Sequence, residues 1–171
     1  MHCPNCGNLN TDGSIFCGSC GNKLPPSQNT LPKISLWLVL LYMAISFGFS
    51  VPVWFLMRRK ALSEMQSPVK LGRGWLLFSL VLNFINILGS IGYMALTLIN
   101  EGIPDMNALS WYLGGSIAGM FMAIILVVEA YKMRRILDDH YNGHLKQGIE
   151  FSGNWTLIGN ILYLQHKINK L

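Results

Sequence analysis

Three long apolar stretches, 34–57, 74–100 and 106–130, dominate the hydropathy pattern of the chain. Each is uncharged over more than the roughly 20 residues that a helix needs to cross a bilayer. Their apolar positions run all the way round, without the polar face that a helix on a soluble globule keeps. The pattern therefore predicts an all-α helical membrane domain over 34–171. A shorter apolar run follows within 153–171 and ends on Lys167 and Lys170. It predicts a segment that lies in the membrane interface, or dips in and returns. Before the first stretch the pattern is different. Residues 1–24 are polar and glycine-rich, and 25–33 carry Pro25, Pro26 and Pro32, which predicts a semi-extended linker.

Several positions interrupt the apolar runs. Ser46-Phe47-Gly48-Phe49-Ser50-Val51-Pro52 sits inside the first. Pro52 removes the bond to the Gly48 carbonyl and pushes Val51 from the helical region, which predicts a break there. Ahead of the break the helix rises only about 21 Å, short of a bilayer core, so a segment that enters and returns, or bends steeply, is expected, with a straight spanning helix as the alternative. Asn83 and Asn86 share a face of the second run and predict interhelical hydrogen bonds. Gly89 and Gly92, and the pair Gly115 and Gly119, mark faces where helices can approach closely. A weak internal echo aligns Pro52–Leu62 with Ile161–Leu171. Both place an aromatic residue four positions before a cation. Each reads as a segment surfacing into a basic helix whose cations snorkel to lipid phosphates.

Composition and charge sharpen this picture. The chain is 51% hydrophobic and 12% charged, with net charge +5, against about 25% charged residues in an ordinary soluble domain. The first apolar run begins only after Lys33, so no cleavable signal peptide is expected at the start. The 58–73 loop holds Arg58, Arg59, Lys60, Lys70 and Arg73 against Glu64. The loop after 74–100 is acidic, with Glu101 and Asp105, and the tail from Tyr131 is basic again. Positive-inside counting puts the 58–73 loop and the C-terminus in the cytosol and the acidic loop outside. The expected location is the inner or plasma membrane, multi-pass.

All four cysteines lie in the first twenty residues, as Cys3-Pro4-Asn5-Cys6-Gly7 and Cys17-Gly18-Ser19-Cys20-Gly21. Two Cys-x-x-Cys turns can place four thiolates at the corners of a tetrahedron, the geometry of a structural Zn²⁺. Asn10 to Gly13 supply a hairpin turn between them, and Ile15-Phe16 a short strand. Two disulfides are the alternative, but a cytosolic N-terminus keeps thiols reduced. The expected metal ligands are Cys3, Cys6, Cys17 and Cys20, holding one structural zinc per chain, with no position left for catalysis.

The pattern Cys-Pro-x-Cys-Gly followed by Phe-Cys-x-x-Cys-Gly-x-x-Leu resembles the short zinc ribbon found at the N-terminus of many bacterial membrane proteins. With Pro52–Leu62 and Ile161–Leu171, the chain is similar to a family of small zinc-ribbon multi-pass membrane proteins of unassigned function. The resemblance implies a ribbon over 1–24, a short β-hairpin with two knuckles, tethered to helices. It implies no activity.

Outside the cysteines, Asp138, Asp139, His140, His144 and Glu150 are the remaining polar cluster. His140 and His144 would share a face of a continuous helix, but Asn142-Gly143 reads as a helix stop. The cluster is expected to be solvated, and Glu129 to pair with a cation. No hydrolase, nucleotide-binding or zincin motif is present. The expected function is a membrane-anchored binding, sensing or adaptor module, not an enzyme, with the ribbon reaching a cytosolic protein partner. A transporter or channel component is the alternative, with a membrane enzyme using 138–150 behind it. The partners are the bilayer and that cytosolic protein, with a homo-oligomer also open. Nucleic acid is disfavoured because Lys23 in the ribbon is offset by Asp12.

Overall fold

The computed structural model describes residues 3–10, 16–24, 31–65 and 67–171. The chain divides into two compact units, Met1–Leu31 and Pro32–Leu171. The described residues of the first unit include two tight turns and an antiparallel bridge of Phe16 with Lys23. Of the hairpin expected between the knuckles, 11–15 lie outside the described residues, as do 25–30 of the linker.

The second unit is helical. Its order is α1 (Leu36–Ile45), α2 (Ser50–Glu64), α3 (Arg73–Ile99), α4 (Met106–Asp138), a π-helical turn (Asp139–His144) and α5 (Gly153–Lys170). Among the described residues, α3 and α4 with its π-helical turn are the two helices long and apolar enough to cross a membrane.

A short reversal joins α3 to α4. Glu101 and Gly102 take positive φ there, and Gly102 N donates back to the Thr97 carbonyl. Asp105 caps α4 by accepting from Ala108 N at 2.7 Å. Backbone atoms nearly touch where the two helices cross. A Cβ built on Gly89 would lie 2.7 Å from Gly115 Cα and from the Trp111 carbonyl. Asn86 Nδ2 donates to the Gly115 carbonyl at 2.8 Å, and a Cβ on Gly119 would strike that amide at 2.6 Å. The small residues thus serve α3–α4 contact. Gly89→Ala must push backbones apart and should cost about 2–3 kcal/mol. Gly114, one residue from Gly115, has nothing within 4 Å of its would-be Cβ, so Gly114→Ala should be near neutral. Thermal unfolding of the purified pair checks this, and equal midpoints would refute the close-contact account.

The first apolar stretch is a helical hairpin. Arg58 Nη2 donates to the carbonyl of Pro32, 26 residues earlier, at 3.3 Å. The chain must therefore turn back between them. The turn is Ser46–Phe49, with Phe47 at φ 48° and Gly48 at φ 87°. The expected cause was Pro52, and this is corrected. Val51 is helical, and Pro52 stands in the first turn of α2, where a missing N–H loses no intrahelical bond. Ser46 Oγ accepts from Ser50 N, and Asn83 Nδ2 donates to the Phe47 carbonyl at 3.4 Å. The expected loop over 58–73 also shortens, because α2 continues through Glu64.

In α5, Asn160 takes φ 39°, ψ −119° and splits the helix into two arms. Ser152 N donates to Tyr163 Oη at 2.8 Å across 11 residues. A straight helix would separate these positions by more than 15 Å along its axis, so the arms bend sharply toward each other. The outer end of the first arm is tied to α4, where Tyr131 Oη donates to the Gly153 carbonyl and Arg134 Nε to that of Phe151.

The second arm closes a buried polar network. Gln165 Oε1 accepts from Arg58 Nη2 at 2.6 Å and from Trp54 Nε1 at 3.1 Å. Gln165 Nε2 donates to Asn169 Oδ1 and to the Pro32 carbonyl. Asn169 pairs with both the N–H and the carbonyl of Ile34. Arg58 is 1% exposed, so the expected snorkelling of this cation is corrected. Its Cζ lies 4.0 Å over the Trp54 ring, and Lys167 Nζ lies 5.8 Å over Tyr163. These two stacks occupy equivalent places in the echoed segments.

Candidate metal centre

Each knuckle is built by one glycine. Gly7 and Gly21 adopt φ 73° and 68°, a region most side chains avoid. Their N–H groups donate back to the carbonyls of Cys3 and Cys17 at 2.8 and 2.9 Å. Cys3 N bonds to the Asn8 carbonyl and Cys17 N to that of Asn22, so the two knuckles are copies of one turn. Each turn folds both of its sulfurs to the same side.

Together they bring Cys3, Cys6, Cys17 and Cys20 into one cluster, with all four Sγ atoms within 4.8 Å of one another. Cys3 faces Cys20 and Cys6 faces Cys17, each at 3.6 Å, and none is disulfide-bonded. A tetrahedral ion with Zn–S bonds of about 2.3 Å needs sulfurs about 3.8 Å apart. The donor set and its spacing suit that ion. Cys3 and Cys17 are buried with Leu24, while Cys6 and Cys20 face solvent.

The surroundings favour the thiolate form at Cys17 and Cys20, whereas Cys6, crowded by the other three sulfurs, is pushed up to about 12. Backbone N–H groups of Cys20 and Ser19 lower the Cys17 thiol to about 6, and the Asn22 N–H lowers that of Cys20. Asn10 carries an unforeseen role. Its Nδ2 donates to Cys17 Sγ at 3.5 Å, and its Oδ1 accepts from Gly18 N at 3.0 Å. Asn5 Nδ2 approaches Cys20 Sγ at 3.8 Å. Such outer hydrogen bonds orient metal-binding sulfurs. In the sequence Asn10 reads only as a turn residue, because its partners lie across the gap in the other knuckle.

Residues 2–24 match the zinc-ribbon domain family. The ribbon therefore accounts for the four cysteines and for the apolar Leu24 packed beside them. The match does not extend into the helical unit. No curated protein and no solved structure matches the chain.

Among the described residues no second metal group forms at 138–150. Asp138 accepts from Asn142, and Asp139 accepts from Ser67 Oγ at 2.7 Å. The helix ends at His144, one residue past the stop expected at Asn142-Gly143. The helix widens to a π turn, and Asn142 bonds the Ile149 backbone through both its N and its O. Glu129, 1% exposed, pairs with Lys132 at 2.6 Å and accepts from Gly72 N at the start of α3.

Proposed function

We propose that the chain is a multi-pass membrane protein presenting a zinc-folded ribbon to the cytosol as a binding or adaptor module. The observation carrying this reading is a closed four-sulfur site on a unit of its own, in a chain whose two long helices are only 28% buried over their most apolar windows. A core helix of a soluble protein buries most of such a window, whereas a lipid-facing helix leaves it outward. One structural Zn²⁺, held by Cys3, Cys6, Cys17 and Cys20, supplies folding energy to a segment too small to build a core. Four protein ligands leave no open position on the ion, which favours recognition over catalysis.

The polar groups of the helical unit favour the same reading over a transport pathway. Asn83 and Asn86 are spent on the Phe47 and Gly115 carbonyls. The basic 58–73 loop and C-terminal tail with the acidic 101–105 loop support a cytosolic C-terminus, and reduced thiols a cytosolic ribbon, with α1–α2 entering and returning on one side. The test introduces single cysteines at Asn29, Gln66, Asn107 and Lys146, with the native thiols replaced. A membrane-impermeant thiol reagent on intact cells should label Asn107→Cys alone. Labelling of Asn29→Cys would place the ribbon outside and end the adaptor reading. Crosslinking from native membranes should then capture a protein that Cys17→Ser loses.

A further inference from the structure

The helical unit is unequal at its two ends, and the inequality follows from named contacts. Arg59 Nε donates to the Leu71 carbonyl, beside the start of α3, and Arg58 donates to Pro32. Both open ends of the α1–α2 hairpin therefore sit where α3 begins. Its tip is held by Asn83, ten residues past Arg73. That is about 15 Å along α3, half of the roughly 30 Å hydrocarbon core. α5 belongs to the same end. Its start is tied to Tyr131 and Arg134 near the end of α4, and its second arm to Trp54, Arg58, Pro32 and Ile34. Among the described residues, six helical segments thus share this end: α1, α2, the two arms of α5, and the near halves of α3 and α4. Only the far halves of α3 and α4 continue to the 101–105 reversal.

The faces that these added segments leave open are apolar. On α1 and its turn, Trp37, Tyr42, Ile45 and Phe47 are 81%, 60%, 67% and 77% exposed. On the first arm of α5, Trp155 and Ile158 are 60% and 76% exposed. Within α1 the only buried residue is Val39, and the helix carries no charge and no polar rim. A protein partner would meet polar edges around such a patch. Hydrocarbon needs none, and the exposed faces of α3 and α4 continue the same apolar surface.

We infer that the helical unit is a one-leaflet wedge, its partner being the acyl region of the leaflet that holds α1, α2 and α5, and that it concentrates where this leaflet is convex. The inference rests on the membrane reading above. With a helix about 10 Å across, each segment adds about 80 Å² in cross-section, so four add about 300 Å² to one leaflet and none to the other. A bilayer accommodates that excess at least cost where the occupied leaflet is already expanded, the curvature dependence known for interfacial helices.

The test reconstitutes the full chain into small and large phosphatidylcholine vesicles, with the α5 end facing outward. Flotation and protein-to-lipid ratio are measured for each. The expected result is roughly threefold enrichment on small vesicles. The double variant Leu157→Lys, Ile158→Lys changes two exposed positions and no core contact. It should still float and melt as the parent does, with enrichment falling toward unity. Failure of the parent to float overturns the membrane reading itself. Flotation with equal density on both sizes overturns the wedge alone. Full enrichment retained by the double variant, or efficient chain-to-chain crosslinking through Ile158→Cys, also overturns it, since α5 would then not face lipid.

Discussion

Cys17→Ser is expected to remove the metal and unfold the ribbon outright, with no shift in the unfolding of the helical unit. The reason is the size of the core. Among the described residues of the ribbon, only Cys3, Cys17 and Leu24 form its buried cluster, and two of these belong to the four-sulfur group itself. Zinc binding to small ribbons and fingers is worth on the order of 10–16 kcal/mol, and it is folding energy because the site does not exist in the unfolded chain. Three sulfurs hold the ion more weakly and less rigidly than four. Cys17 is also the sulfur whose thiolate form its knuckle favours, through the N–H groups of Cys20 and Ser19 and the amide of Asn10. Metal analysis should find about one zinc per parent chain and nearly none in the variant. Limited proteolysis should cut the ribbon and spare the helices. A variant that keeps a full equivalent of zinc and a protected ribbon would rule out the four-sulfur site.

The second large effect is expected at Gln165, in a pattern that single substitutions alone do not reveal. Arg58 is a buried cation with no carboxylate beside it among the described residues. Taking a lone cation out of water costs stability. What makes it tolerable is the Gln165 carbonyl at 2.6 Å, the nearest of its acceptors. Gln165→Leu removes that acceptor and strands Trp54 Nε1 as well, and should cost about 3–5 kcal/mol. Arg58→Met should cost far less, about 1 kcal/mol. It removes the charge and keeps much of the volume, while Trp54 still serves Gln165 Oε1 and Gln165 Nε2 still serves Pro32. In the double variant most of the Gln165 loss should vanish. Chemical unfolding of all four proteins measures the coupling, and simple additivity would sink the account.

How much of this was legible in the sequence depends on how far apart the interacting residues stand. The four-cysteine cluster was readable because its geometry is local: Cys-x-x-Cys-Gly encodes a turn within five residues, twice. The helices α3 and α4 were readable because absence of charge over such lengths has few other meanings. The break in the first apolar stretch was readable as a region but not as a cause. Proline is conspicuous in a sequence, yet the turn is made by the positive φ of Phe47 and Gly48, and Pro52 merely begins the next helix. Arg58 read as a snorkelling end residue because nothing near it signals a partner. That partner is Gln165, 107 positions later. Asn142 beside glycine signals a stop and the helix does end at His144, but the π turn and the bonds from Asn142 to Ile149 that accompany it have no local signal.

The attachments at Pro32 and Ile34 also determine how the helical unit bears a mechanical load. The Pro32 carbonyl is gripped by Arg58 from α2 and Gln165 from α5, and both backbone groups of Ile34 by Asn169. Tension arriving along the chain ahead of Pro32 meets these bonds before it reaches the first turn of α1. The joint thus passes force directly to α2 and α5, and α1, the helix nearest in sequence, is shielded from it.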